Sequence, residues 1–397
     1  MLERSFWLRL AIASLLLWGL APSVFGQERL ADSQSIRDEQ YRQIEKYLDG
    51  VIDQADAKRA AYWQRVRFET LDAFAQSIES YRHEWKEFLG VPEEDLVPMR
   101  EARVRREKVG DFDTHTTYRV WVDVFPGVET YGLLLIPTGA TKKTAALVCL
   151  HGHRGIPEDL AGLLGPEESS DAYRAFAKTA AERGYVVWVP RMHGLYSEEH
   201  EPRQGPDAQG RDILHKKALV VGKTVMGLEI AKLQRGIDYL ETLPEVDPDR
   251  IGMYGLSKGG HYSLYTAALD TRIKATVVSG WFNHRTRKLM ERFDGRGMFW
   301  ITHIHRFEYY LDDLLHRFGD AELGWMIAPR ALLIENGTRD TAVHVDDARE
   351  EFQRVQGVYE RLGVSDRAQF AAFEGPHRID GEQAFPFLDK WLGHAPR

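Results

Sequence analysis

Between the apolar run Arg250 to Tyr254 and a helix-forming segment stand Gly255, Leu256, Ser257, Lys258 and Gly259, a G-x-S-x-G sequence. In that context it reads as a nucleophile elbow, a strand turning sharply into a helix. Such a turn holds the serine in a strained backbone conformation, and glycines on either side keep neighbouring side chains from clashing across it. The hydroxyl then projects toward whatever binds at that end of the strand. Five-residue patterns this degenerate also arise by chance, so the rest of the chain must supply partners.

A serine hydroxyl is a poor nucleophile at neutral pH. It needs a base, and the base needs an acid that fixes its tautomer and stabilises the imidazolium that forms. Behind such an elbow the chain order is Ser, then Asp or Glu, then His. Three histidines lie far enough along: His344, His377 and His394. His344 is too close to Asp340 and begins a helix, and His394 lies in the tail. His377, in the loop Glu374 to Arg378 directly after a strand, is the expected base. The run Ala331 to Ile334 leads through Glu335 to Asp340, which falls past the strand's C-terminal end, where open parallel sheets form their sites. Asp346 and Asp347 fall in the following helix, and Glu335 is still on the strand. Ser257, Asp340 and His377 are therefore the expected catalytic set.

Acyl transfer also needs two backbone N–H donors for the oxyanion, worth about 3 kcal/mol each. Lys258, after the nucleophile, is one candidate. The other is His153, in the loop His151-Gly152-His153-Arg154-Gly155 that follows the strand Ala145 to Leu150. A His-x-His pair also suits zinc, but a zinc site wants a third protein ligand, and no metal is expected. The pair His303 and His305 reads as aromatic packing. Gly222-Lys223-Thr224 resembles the end of a P-loop, but Lys217 stands where that loop requires glycine.

The 397 residues, 43% of them hydrophobic, suffice for one large α/β domain and an extension. Residues 1–26 read as a signal peptide: Arg4 and Arg9 precede the apolar run Leu10 to Leu20, with Val24 and Gly26 before Gln27. The alternative is an uncleaved anchor, although the run is shorter than the ~20 residues a spanning helix needs. A periplasmic or secreted location is expected. The one cysteine, Cys149, sits in an apolar run and reads as a buried hydrophobe. A net charge of −8 without a basic stripe argues against nucleic acid as a partner.

Residues 27–95 are expected to form a helical extension. Leu71, Phe74, Ile78, Tyr81, Trp85 and Phe88 recur in steps of three and four, the mark of one buried helix face. That face packs either on the main domain or in a coiled-coil seam. From 96 to 397 the pattern is that of an α/β domain. Tyr118, Val120, Val122 and Val124 alternate, Pro126 and Gly127 turn, and Gly132 to Pro137 return. Apolar runs then alternate with helical segments, which implies a mostly parallel sheet flanked by helices. The aromatic-rich stretch 281–326, opening at Trp281, is an expected insertion over a pocket.

With these residues in place the chain resembles the α/β-hydrolase superfamily, in its bacterial dienelactone hydrolase-like and acetyl xylan esterase-like branch. The resemblance rests on Gly227 to Leu240, Val246 to Gly260, Glu335 to Asp340 and Gly375 to Arg378, and covers roughly residues 95 to 397. It implies an α/β-hydrolase fold and hydrolysis of carboxylic esters through an acyl-enzyme, with no cofactor. The triad it implies falls on Ser257, Asp340 and His377. Two departures bear on substrate: Lys258 stands where methionine or glutamine is more usual, and Arg191-Met192-His193 does not match the acetyl xylan esterase pattern.

The expected substrate is a small-molecule or carbohydrate ester. Arg154, Arg191 and Lys258 at the active edge suggest an anionic one, such as a uronic-acid ester, unless they pair with the chain's many carboxylates. Arg154, Arg191 and Trp281 are the expected substrate contacts. Two alternatives remain. One is a prolyl oligopeptidase-type peptidase, which usually carries a β-propeller that about 70 helical residues cannot make. The other is a hydrolase fold used only for binding.

Overall fold

The computed structural model describes residues 24–139, 143–153, 155–192, 210–290 and 309–396. Residues 1–23, Arg154, His193, His303 and His305 lie outside the described residues. The chain divides into two units, residues 1–54 and 55–397. In the first, Val24–Asp53 is one long helix, with side-chain bonds one turn apart such as Gln34 Nε2 to Asp38 Oδ1 at 2.8 Å. Among the described residues no helix is long and apolar enough to cross a membrane.

The second unit is built on one nine-stranded sheet. Its strands are β1 (Val104–Asp111), β2 (His115–Phe125), β3 (Val128–Pro137), β4 (Thr144–Leu150), β5 (Val186–Pro190), β6 (Val246–Leu256), β7 (Ile273–Ser279), β8 (Ala331–Gly337) and β9 (Ala368–Phe373). Their spatial order is β1-β2-β3-β5-β4-β6-β7-β8-β9. β1 to β3 form an antiparallel meander and β3 runs antiparallel to β5; from β5 to β9 every neighbour is parallel. Buried clusters on both faces of the sheet account for the near-continuous apolar sequence of β4, β5 and the second half of β6.

β2 keeps the alternation that marked it, with Val120, Val122 and Val124 fully buried. β1 has no counterpart in the sequence reading. It is an edge strand of almost wholly exposed residues, so it carries no apolar period. Its basic side chains instead cover aromatic rings of β2, Arg105 over Trp121 at 3.6 Å and Arg106 over Tyr118 at 3.5 Å.

Helix Leu71–Leu89 starts at Thr70, whose hydroxyl accepts the Ala73 N–H at 3.0 Å, and stops at Gly90 in the left-handed conformation. Its apolar stripe faces the core of its own unit: Phe74, Ile78, Tyr81 and Trp85 are at most 1% exposed. Trp85 meets Tyr265 and Phe318, and Tyr81 stacks on Trp63 at 4.0 Å. Leu71 at the helix start stays exposed, but the stripe from Phe74 to Trp85 is spent inside the unit and is not a coiled-coil seam. Lys223 and Thr224 have structural partners too: Lys223 pairs with Glu94 and Asp95, and Thr224 caps helix Val225–Thr242.

Trp85→Ala should destabilise the chain by about 3–5 kcal/mol in urea unfolding, whereas an exposed change such as Tyr47→Ala should cost under about 0.5 kcal/mol. Equal midpoints for the two would contradict this packing.

Candidate active site

β6, β8 and β9 end at the same edge of the sheet, with β7 between the first two. At the end of β6 the backbone of Ser257 has φ 59° and ψ −119°, and helix Lys258–Leu269 begins at the next residue. The turn is closed by Ser257 N–H to Ser279 O at 2.8 Å and by His261 N–H to Ser257 O at 2.9 Å. Any Cβ on Gly255 would collide with the backbone of Gly259, and one on Gly259 with the carbonyl groups of Leu150 and His151, so β6, this helix and the end of β4 approach this closely only with glycine at both positions.

Past β8, the Asp340 carboxylate is tied down by two backbone groups, Ala342 N–H to Oδ1 at 2.7 Å and Val343 N–H at 3.2 Å. Its other oxygen, Oδ2, lies 2.7 Å from His377 Nδ1. The loops carrying the two residues are stitched together by Thr338 N–H to Phe373 O and Arg339 N–H to Gly375 O, both 2.9 Å. Gly280, at φ +56°, makes room for the imidazole: a Cβ there would lie 2.8 Å from His377 Cε1.

Glu335, set aside in the sequence as a strand residue, anchors this arrangement. It is 1% exposed and accepts from Tyr254 Oη and Ser279 Oγ at 2.8 Å, Gly381 N–H at 2.9 Å and Asp380 N–H at 3.3 Å. One carboxylate thus binds β6, β7 and the loop that follows His377. Burial still holds its pKa above the usual carboxylate range, since the four donors offset desolvation only in part. A glutamate continuing the apolar run Ala331 to Ile334 was the signal available in the sequence.

The loop after β4 is held from below. His151 is fully buried; its Nε2 accepts the Met192 N–H at 3.0 Å, so its Nδ1–H donates to Gly152 O at 2.7 Å. Both nitrogens are thereby occupied by backbone. Burial, the largest cause, drives its pKa down to about 3. Gly152 N–H donates to Tyr173 Oη at 3.0 Å, and Arg191 Nη1 donates to Gly155 O at 2.7 Å. Among the described residues no group of three His, Cys, Asp or Glu could hold a metal ion. Cys149 is buried, which pushes its thiol pKa far up.

These elements enclose a cavity of about 590 Å³ lined by Ser257, His377, His153, Trp281, Asp159 and Glu168 among others. Ser257, His377, His153 and Trp281 are thus brought together as the sequence suggested, with Asp340 behind the histidine. Arg191 is not: its guanidinium is turned to the Gly155 carbonyl, and it does not line the cavity. The Lys258 side chain is 1% exposed, with Nζ 5.6 Å from the Tyr262 ring centroid. Its backbone opens the helix, where the first N–H groups and the helix dipole favour negative charge.

The fold agrees with comparisons to known proteins. Residues 133–291 match the model of the dienelactone hydrolase family. The chain has an α/β-hydrolase fold. This α/β-hydrolase is 30% identical to YtaP of Bacillus subtilis (strain 168) over 183 residues, 45% of the chain and 58% of that protein, so it spans little more than half of that relative. Its fold is shared by the Bacteroides fragilis protein BF1801, provisionally assigned as an acetyl xylan esterase, at a TM-score of 0.64 and 18% identity, covering 84% of this chain and 93% of that one. Methylesterase BT1017 follows at a TM-score of 0.62 and 19% identity, covering 85% of this chain and 68% of the other.

A second histidine of this α/β-hydrolase bears on stability. His261 is 0% exposed, stacks on Trp281 at 4.1 Å, and among the described residues neither ring nitrogen has a hydrogen-bond partner. Burial, then the charges of Arg285 and Lys258, hold its pKa well below the usual value. In the unfolded chain such a ring protonates below about pH 6.5. The unfolded state therefore binds more protons below that pH, and stability is full above it and falls as the pH drops. His261→Phe, which keeps the stack and loses no hydrogen bond to a described residue, should flatten this acid limb in thermal melts between pH 7.5 and 5. An unchanged limb would contradict the assignment.

Proposed function

We propose that this protein is a serine esterase that cleaves carboxylic esters through an acyl-enzyme, acting on an acetyl or other acyl ester of a carbohydrate. The observation that carries the proposal is Ser257, held on a left-handed turn, lining one cavity with His377, whose Nδ1 meets Asp340 Oδ2 at 2.7 Å. Of the two neighbours of like fold, one is provisionally assigned as an acetyl xylan esterase and the other is called a methylesterase, which supports ester chemistry. At 18–19% identity they leave the substrate to the pocket.

With the Nδ1 proton donated to Asp340, Nε2 of His377 is the base. Ser257 Oγ attacks the ester carbonyl carbon as its proton passes to Nε2, and the carbonyl π electrons move to oxygen. The oxyanion is met by the backbone N–H groups of His153 and Lys258. Collapse expels the alcohol, which takes the proton from Nε2. Water then repeats the sequence on the acyl-enzyme, releasing the acid and free Ser257. In this reading Arg191 is a positioning residue, holding the oxyanion loop through Gly155 O.

The sequence of residues 1–26 supports export to the periplasm or beyond. N-terminal sequencing of the exported protein should begin near Gln27.

Ser257→Ala should lower p-nitrophenyl acetate turnover by at least about a thousandfold; a wild type without activity, or a variant that keeps it, would overturn the proposal. Arg191→Ala should reduce turnover of neutral and anionic esters by the same factor, because it acts through the loop. A selective loss on anionic esters would instead make it a substrate contact.

A further inference from the structure

The cavity that holds Ser257 and His377 is also lined by two carboxylates, Asp159 and Glu168. Asp159 follows Ile156 and Pro157 on the stretch just past the loop of His153, and its residue is only 5% exposed. Its Oδ1 accepts the Ser170 N–H at 3.1 Å. Its Oδ2 has no protein donor, and neither it nor Glu168 has an ion-pair partner, among the described residues. Burial raises the Asp159 pKa and the Ser170 N–H offsets this only in part, so a donor arriving in the cavity would relieve a standing desolvation cost. The two described cations that the sequence placed at this edge are engaged elsewhere. Arg191 is turned to Gly155 O, Lys258 is buried beside Tyr262, and Arg154 lies outside the described residues.

Resting on the ester-hydrolase reading, we propose that Asp159 is a specificity-determining residue. It accepts hydroxyl hydrogen bonds from an uncharged, polyol-bearing ester and, together with Glu168, repels esters that carry a carboxylate. Trp281 supplies an apolar wall of the same cavity against which a sugar ring can pack. This reverses the polarity suggested by the basic residues in the sequence: the described wall of the pocket is acidic, and the substrate it suits is neutral. A hydrogen bond to a carboxylate held in such a pocket is among the stronger ones, and a like charge brought beside it is penalised by the same low dielectric.

The test compares kcat/KM for an acetylated neutral xylo-oligosaccharide with that for its counterpart bearing a uronic acid. Wild type should prefer the neutral ester by about tenfold or more. Asp159→Asn keeps an oxygen for the Ser170 N–H but drops the charge, and it should reduce that preference by about tenfold, mainly through KM. Glu168→Gln, on an exposed residue whose replacement does not threaten folding, should shift it in the same direction by less. Equal turnover of the two esters by wild type would overturn the inference. So would an Asp159→Asn variant that lowers both in parallel, since a residue that only holds the Ser170 backbone would leave the ratio unchanged. An enzyme active on p-nitrophenyl acetate with an unmoved ratio refutes this inference alone, whereas one inert to every ester refutes the ester-hydrolase reading beneath it.

Discussion

A serine at φ 59° and ψ −119° is the constraint on which the site depends. A non-glycine residue in such a region costs of order 1–3 kcal/mol, and the surroundings must over-determine it. Here they do so with Gly255 against the backbone of Gly259, Gly259 against the end of β4, a hydrogen bond from Ser257 N–H to Ser279 O, and a helix that begins at once. The same turn puts the serine at the cavity mouth and the start of a helix dipole beside it. Relaxing the backbone would remove both together.

Electrostatics then sort the charged side chains. Glu335 is buried where four donors meet it, and through them it joins two strands to the loop after His377. Asp340 spends one oxygen on backbone N–H groups and keeps the other for His377. Arg191 is drawn to the carbonyl of Gly155, while His151 and His261 are kept neutral by burial. What remains facing the cavity, among the described residues, is carboxylate, and that sets the polarity a substrate meets.

Much of this was legible in the residues. Period-two alternation marked β2, apolar runs marked β4 to β8, and the three-four spacing from Phe74 to Trp85 marked a buried helix face. The G-x-S-x-G turn, the acid-bearing loop and the histidine loop were found because chain order and strand ends constrain them. β1 was missed because an exposed edge strand needs no apolar residues. Glu335 was passed over because its four partners are distant in sequence. The direction of Arg191 and the acidity contributed by Asp159 and Glu168 also escaped, since which way a side chain turns is decided by tertiary neighbours such as Gly155 and Ser170. The long helix of the first unit and the compact unit from Ala55 likewise divide the helical extension at a point no composition change marks.

The most direct test of the central claim, that the turn at Ser257 delivers an activated nucleophile, is covalent labelling with a fluorophosphonate followed by peptide mass mapping. One phosphonyl adduct per chain is expected, on Ser257, forming rapidly in wild type and at least about a hundredfold more slowly in His377→Ala. Labelling on another residue, or labelling of Ser257 at a rate indifferent to the loss of His377, would contradict it.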